Sequence, residues 1–101
     1  MKKIRKKIIV SGIVQGVGFR PFIYKLAKKH NLTGFVFNSL IGVEIEAQGT
    51  KTNLDKFIEN IKKNHPPQSK VDAVLVENIK LKTCKNFQIK FSNSKTQNST
   101  I

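Results

Sequence analysis

The residues best suited to chemistry lie where an apolar run near the N-terminus gives way to a probable helix, and they are Gln15-Gly16-Val17-Gly18-Phe19-Arg20-Pro21. Glycines let a loop turn several backbone N–H groups inward, and the free N–H groups of a following helix add to them. Proline suits the first helical position and disfavours helical geometry in the residue before it, which predicts Arg20 at the helix mouth. Backbone donors and a forked guanidinium would then converge on one oxyanion.

The scarcity of arginine supports this interpretation. The chain has 17 lysines and only two arginines, and one of the two lies beside the glycines. A planar guanidinium can bind two oxygens at once, which an ammonium group does not do. Short glycine motifs also fit a plain strand-to-helix turn. Phe19 adds an apolar anchor and Pro21 fixes the helix start, which also supports an anion site, and the plain turn stays the alternative.

Length and composition limit the other possibilities. A chain of 101 residues forms one domain with a single modest core. No stretch approaches the roughly 20 apolar residues of a membrane helix, and no apolar segment follows the basic N-terminus as in a secretory signal. We therefore expect a soluble, cytoplasmic protein without membrane partners.

Cys84 has no second cysteine to pair with and is predicted to be a small strand residue; His30 and His65 lack a third ligand, so we expect no metal and no cofactor.

The net charge of +13 would attract nucleic acid, acidic membranes and small anions alike. The lysines are spread along the chain, and the one dense cluster, residues 2–7, is predicted to be a solvated tail and strand edge. Charge alone therefore does not select a partner.

The spacing of apolar residues predicts two helices and five strands, the last of them short. The strands are 7–14, 34–38, 43–48, 71–81 and 87–91; one helix spans 21–30, and the other begins near Thr52 with Asp55 and ends before Pro66. This order predicts a two-layer α+β sandwich of the ferredoxin-like type (βαββαβ), an antiparallel sheet with two helices on one face. Residues 1–91 would form this domain, and the polar residues 92–101 a tail or linker.

Two segments carry a resemblance to a known family. Residues 10–20, with the letters VSGIVQGVGFR, and residues 34–38, with the letters GFVFN, resemble the acylphosphatase family, and the similarity covers about residues 7–91. Arg20-Pro21-Phe22, and Pro66-Pro67 before Val71-Asp72, look most like the N-terminal acylphosphatase-like domain of HypF-type carbamoyltransferases, which are maturation factors of nickel–iron hydrogenases. In such proteins a linker leads on to zinc-finger and carbamoyl-transfer domains.

The resemblance implies hydrolysis of the carboxyl–phosphate bond of small acyl phosphates, and of carbamoyl phosphate in the HypF setting. Arg20 corresponds to the family's phosphate-binding arginine, Asn38 to the asparagine that orients the attacking water, and residues 15–19 (Gln15, Gly16, Val17, Gly18 and Phe19) to the backbone cradle. No metal is implied, and the substrate's own phosphate would accept the water's proton. The implied partners are the acyl phosphate and either further domains or other hydrogenase maturation proteins.

One departure from the HypF-type pattern lies in the hairpin turn. Relatives place Asp and Gly after the asparagine, whereas this chain has Ser39-Leu40-Ile41 before Gly42. Two exposed apolar residues near Asn38 could contact a partner domain or the larger part of a substrate.

Two other functions fit parts of the sequence. Ferredoxin-like sheets can bind RNA on aromatic residues, but Glu44 and Glu46 would repel a nucleic-acid backbone, and the spacing of Phe35 and Phe37 equally suits a core. A non-catalytic module that only binds anions would have the same cradle and the same Arg20. Turnover separates that module from an enzyme.

Overall fold

The computed structural model describes residues 2–91, which form five strands and two helices. Its elements are β1 (Lys3–Ile13), α1 (Phe19–Lys29), β2 (Thr33–Ser39), β3 (Gly42–Thr50), α2 (Lys51–Asn64), β4 (Lys70–Ile79) and β5 (Phe87–Ile89). This order confirms the predicted βαββαβ succession with a short strand after it. The polar tail predicted at 92–101 lies outside the described residues.

The strands form a single sheet in the order β4-β1-β3-β2-β5. β1 pairs antiparallel with β3 and β4, and β2 pairs antiparallel with β3, as predicted. β5 differs, because it pairs parallel to β2 and makes the sheet mixed. The chain reverses direction between β4 and β5 and crosses to the far edge, so β5 runs the same way as β2.

Both helices pack on one face of the sheet and bury a common core. Alternate residues of the strands point into it, which is the pattern of a sheet covered on one side. The fully buried strand residues include Ile8, Val10, Val36, Val43, Ile45 and Ala47. From the helices come Phe19, Ile23, Ala27, Leu54, Phe57 and Ile61. The apolar helix faces predicted from the sequence are therefore confirmed.

Helix α1 begins earlier than predicted. It starts at Phe19, so Arg20 lies inside the first turn and not before it. Pro21 is tolerated as the third helical residue because the N–H groups of a first turn have no acceptor within the helix, so none is lost. The expectation that Pro21 keeps Arg20 out of helical geometry is wrong.

Helix α2 also begins before the predicted residue. Thr50, not Thr52, is the N-cap, and its Oγ1 accepts a hydrogen bond from the N–H of Asn53 at 3.2 Å. Thr50 can do so because it is the extended last residue of β3. Asp55 instead pairs with Lys51 at 2.8 Å.

The sheet face opposite the helices, here called the outer face, carries a charged cluster. Arg5 is only 2% exposed, and its Nε and Nη2 contact Glu46 Oε1 at 2.9 and 2.8 Å while Nη1 donates to Gln48 at 3.1 Å. Lys82 Nζ donates to the same Glu46 oxygen at 3.0 Å. Burial alone would raise the pKa of Glu46, but the hydrogen bonds from Arg5 and Lys82 outweigh it and lower that pKa.

The prediction of a solvated strand edge at residues 2–7 is thus wrong for Arg5, because β1 already begins at Lys3 and lies between β4 and β3. Phe35 and Phe37 lie half-buried on this outer face, and Lys90 Nζ is 4.1 Å from the centre of the Phe35 ring.

The prediction that Cys84 is a strand residue is wrong, since β4 ends at Ile79. Cys84 is a half-buried free thiol in the connection to β5.

Candidate active site

The loop between β1 and α1 presents backbone donors to an open space. Gly16 and Gly18 have φ angles of 76° and 79°, the left-handed region that glycine adopts without strain. A Cβ added to either would meet no atom within 4 Å, so backbone conformation and not crowding requires these glycines. Within residues 2–91, the N–H groups of residues 15–20 have no hydrogen-bond acceptor, and the first helical bond runs from Phe22 N to Gly18 O at 3.3 Å. These donors are available to an anion.

Phe19 anchors this loop to the core. Its side chain is 2% exposed and meets the Phe22 ring edge-on, with 5.5 Å between ring centroids and 67° between ring planes. Val17 is partly buried against the same core. The backbone donors of the loop are therefore carried by residues that packing holds in place, which limits the reorganisation that anion binding would require.

Arg20 lies half-buried in the first turn of α1, beside the edge of the sheet. Its Nη1 donates to the carbonyl oxygen of Lys90 at 3.4 Å, and Lys90 N donates to Val36 O at 2.8 Å. Val36 is two residues before Asn38 on β2. The guanidinium is therefore linked through Lys90 to the strand that bears Asn38. Within the described residues this one contact is its only hydrogen bond, so its other N–H groups can bind a ligand.

Asn38 is near the end of β2, opposite Val43 of β3. It shares a sheet face with the core residue Val36, because side chains two residues apart on a strand point the same way. Its Oδ1 is shielded from solvent and has no hydrogen-bond donor among residues 2–91. A shielded acceptor without a protein partner is costly to a fold unless it binds water or a ligand.

The side chain of Gln15 joins the loop to the β2–β3 hairpin. Its Nε2 donates to the carbonyl oxygens of Ser39 at 2.6 Å and Gly42 at 3.0 Å. The sequence predicted Gln15 as part of the backbone cradle, but its side-chain contacts were missed. No local signal could have found them, since the acceptors are 24 and 27 residues away.

These contacts bring the predicted site residues to one end of the sandwich. Gln15 holds the cradle against the hairpin, and Arg20 is held against β2 through Lys90. Among residues 2–91, no carboxylate or histidine forms a hydrogen bond or ion pair with Arg20 or Asn38. The arrangement supplies a cation, backbone donors and a neutral carboxamide, which can stabilise a phosphoryl group and orient a water molecule but cannot remove a proton.

The hairpin turn has the exposed apolar residues expected from the sequence. Leu40 is 88% exposed and Ile41 58%, and with Ile13, 57% exposed, they border a groove of about 370 Å³. The groove runs between residues 12–15 and 39–42 and includes Gln15.

Two further properties concern metals and membranes. Residues 2–91 contain no group of three or more His, Cys, Asp or Glu placed to hold a metal ion. In the same range, neither helix combines the length and apolar character that crossing a bilayer demands.

Comparison with known proteins gives consistent results. The acylphosphatase family model matches residues 6–89. The probable carbamoyltransferase HypF of Methanocaldococcus jannaschii is 49% identical over 78 residues, which cover 77% of this chain and 10% of that protein. The acylphosphatase of Bacillus licheniformis is also 49% identical over 78 residues, covering 76% of this chain and 86% of that protein. This chain therefore spans about a tenth of its HypF relative but most of the length of the acylphosphatases.

Solved structures show the same two kinds of similarity. Full-length HypF in a phosphate- and nucleotide-bound form matches with a TM-score of 0.88 and 38% identity over 91% of this chain and 12% of that one. The acylphosphatase of Bacillus subtilis matches with a TM-score of 0.82 and 42% identity, over 86% of this chain and 98% of that one.

Proposed function

The chain belongs to the acylphosphatase family, and we propose that it hydrolyses small acyl phosphates at the site formed by residues 15–19, Arg20 and Asn38. The observation that carries this assignment of residues is the unpaired Oδ1 of Asn38 on the strand to which Arg20 is linked through Lys90. Asn38 as a whole residue is only half-buried, so its carboxamide can still reach a water molecule next to a phosphate that the cradle binds.

In the proposed reaction the phosphate lies in the cradle. The loop N–H groups and Arg20 bind its non-bridging oxygens, where charge accumulates in the transition state. Asn38 holds a water in line with the bond to the acyl oxygen; the water oxygen attacks phosphorus, and that bond breaks. The acyl group leaves as a carboxylate, and the water's proton passes to a phosphate oxygen of the substrate. Catalysis then depends on positioning and charge stabilisation, with no protein base.

Carbamoyl phosphate is the substrate that we propose within this class. The support is the 49% identity to the HypF of M. jannaschii together with the structural match to full-length HypF. On this proposal residues 1–91 form the N-terminal domain of a hydrogenase maturation protein in the cytoplasm, and further domains or other maturation proteins are its partners. An independent acylphosphatase is the second candidate, favoured by the near-complete coverage of the B. subtilis enzyme.

The experiment is to measure phosphate release from carbamoyl phosphate and from benzoyl phosphate. We expect Asn38→Ala to lower kcat at least about 100-fold while inorganic phosphate still inhibits with a similar Ki, because the cradle is intact. We expect Arg20→Lys to weaken phosphate inhibition about tenfold or more, because a forked donor is lost. Asn78→Ala is the matched control, since Asn78 is an exposed asparagine on β4.

A folded parent chain that releases phosphate from neither substrate would refute the proposal and leave the non-catalytic anion-binding module. If the parent is active, the ratio of kcat/KM for the two substrates separates the candidates. A preference for carbamoyl phosphate supports the hydrogenase maturation role, and a preference for benzoyl phosphate supports the independent acylphosphatase.

A further inference from the structure

We propose that Gln15 is a positioning residue that fixes the separation between the phosphate cradle and Asn38. This inference rests on the proposed function, because it assigns a role within the same site. Both donor hydrogens of the Gln15 amide are used, one toward Ser39 O at 2.6 Å and one toward Gly42 O at 3.0 Å. One side chain thus contacts both ends of the hairpin turn while its backbone forms the first residue of the cradle.

Below the turn the hairpin is held against β1, where Val43 pairs with Val10 and the Gly42 backbone packs on the Val10 carbonyl oxygen. Ser39 and Gly42 form its last pair, and the turn beyond them carries the exposed Leu40 and Ile41. Within the turn, Ile41 N donates a hydrogen bond to Ser39 Oγ at 3.2 Å. This bond joins two residues of the turn and does not connect the turn to the cradle. Ser39 directly follows Asn38 in the chain. A shift of Ser39 relative to the loop would therefore move Asn38 relative to a bound phosphate.

Such a shift should affect turnover more than phosphate binding. The loop donors and Arg20 are held by the buried Phe19 and by the contact of Arg20 with Lys90, neither of which involves Gln15. In-line attack is far more sensitive, since a displacement of about 1 Å can reduce the rate about 100-fold. Gln15 itself is exposed, so replacing it leaves no cavity in the core.

The test compares Gln15→Met, which keeps the length of the side chain but donates nothing, with Gln68→Met as control. Gln68 is an exposed glutamine in the turn before β4. We expect Gln15→Met to lower kcat about 10- to 100-fold, while the Ki of inorganic phosphate changes less than about threefold. Gln68→Met should match the parent in both quantities. Circular dichroism confirms that each variant is folded.

Gln15→Glu adds a readout that a purely structural role would not move. The introduced carboxylate would face two carbonyl oxygens and cannot donate, whereas its protonated form can donate one hydrogen bond. We therefore expect kcat of this variant, relative to the parent, to rise as the pH falls from about 8 to about 5. The same ratio for Gln15→Met should stay flat.

The outcomes separate this inference from the proposed function. If the parent hydrolyses acyl phosphates and both Gln15 variants keep kcat within about twofold, the inference is wrong and the proposed function stands. If kcat and phosphate affinity fall together, Gln15 shapes the cradle, which also overturns the inference. An inactive parent chain overturns both.

Discussion

The Arg5–Glu46 pair should stabilise the fold well beyond an ordinary surface ion pair. Glu46 Oε1 receives contacts from two Arg5 nitrogens at 2.9 and 2.8 Å and from Lys82 at 3.0 Å, and the Arg5 side chain is 1% exposed. Removing one partner of a fully buried pair costs about 3–5 kcal/mol, and losing a hydrogen bond to a charged group about 1.5–3 kcal/mol. Since Glu46 is 17% exposed and an amide oxygen can still accept from Arg5, we expect Glu46→Gln to cost about 2 kcal/mol.

Urea unfolding measures this loss. With an m-value of about 1 to 1.5 kcal/mol per M for a chain of this size, the midpoint should fall by about 1.5 M. Glu44→Gln is the matched control, two residues away on the same face of β3. Its partner Lys7 is 3.9 Å away and 38% exposed, so this variant should lose less than about 0.5 kcal/mol. Both variants should keep the parent's hydrolytic activity, because the site lies on the other face of the sheet.

The pH dependence gives an independent check. The pKa of Glu46 is lowered in the folded protein, so its stabilising contribution is complete above its ordinary value of 4.5 and is lost as the pH falls through the folded-state value. The difference in unfolding free energy between the parent and Glu46→Gln should therefore shrink in acid. Equal losses for Glu46→Gln and Glu44→Gln at neutral pH would refute the reasoning, since burial of Arg5 would then add nothing.

Two further predictions follow from single residues. Gly18→Ala should cost about 1–2 kcal/mol of stability, because the φ of 79° at this position strains an alanine even though no atom crowds the new Cβ. Thermal unfolding measures the loss, and an unchanged melting temperature would contradict the prediction. The pKa of His30 is lowered, mainly by burial and further by the charges of Lys29 and Lys56. Below its ordinary value of 6.5, the unfolded chain therefore binds a proton that the folded chain does not, and stability should decrease as the pH falls through 6.5. His30→Gln should flatten that part of the curve in urea unfolding, and an unchanged slope would exclude His30 as its source.

Most of the fold could be predicted from apolar periodicity, because each element buries one face. The direction of β5 could not, since it depends on where the connection 80–86 leads the chain and not on the residues of β5. The cap of α2 was misplaced for a related reason. Thr50 and Thr52 are equally good caps by type, and only the extended end of β3 decides between them.

The candidate site was predictable to a different degree for each residue. Arg20 follows from the chemistry of the loop itself. Asn38 has no local signal of catalysis, and its role was inferred from the family resemblance; the structure adds the unpaired Oδ1. The side-chain role of Gln15 depends on residues brought close only by the hairpin, which a linear pattern cannot show.

The two arginines of this lysine-rich chain indicate why charge alone is a poor guide to its function. Arg5 uses three nitrogens of its planar group to bind Glu46 and Gln48 on the outer face. Arg20 uses one nitrogen to bind Lys90 O, which leaves the rest of a fixed plane for a ligand. The Arg5 arrangement does not suit an ammonium group, because it needs several donors in one plane. Arg5 thus uses directed donors to stabilise the sheet, and on the proposed function Arg20 uses them to bind the substrate, so neither role follows from the net charge of +13 alone.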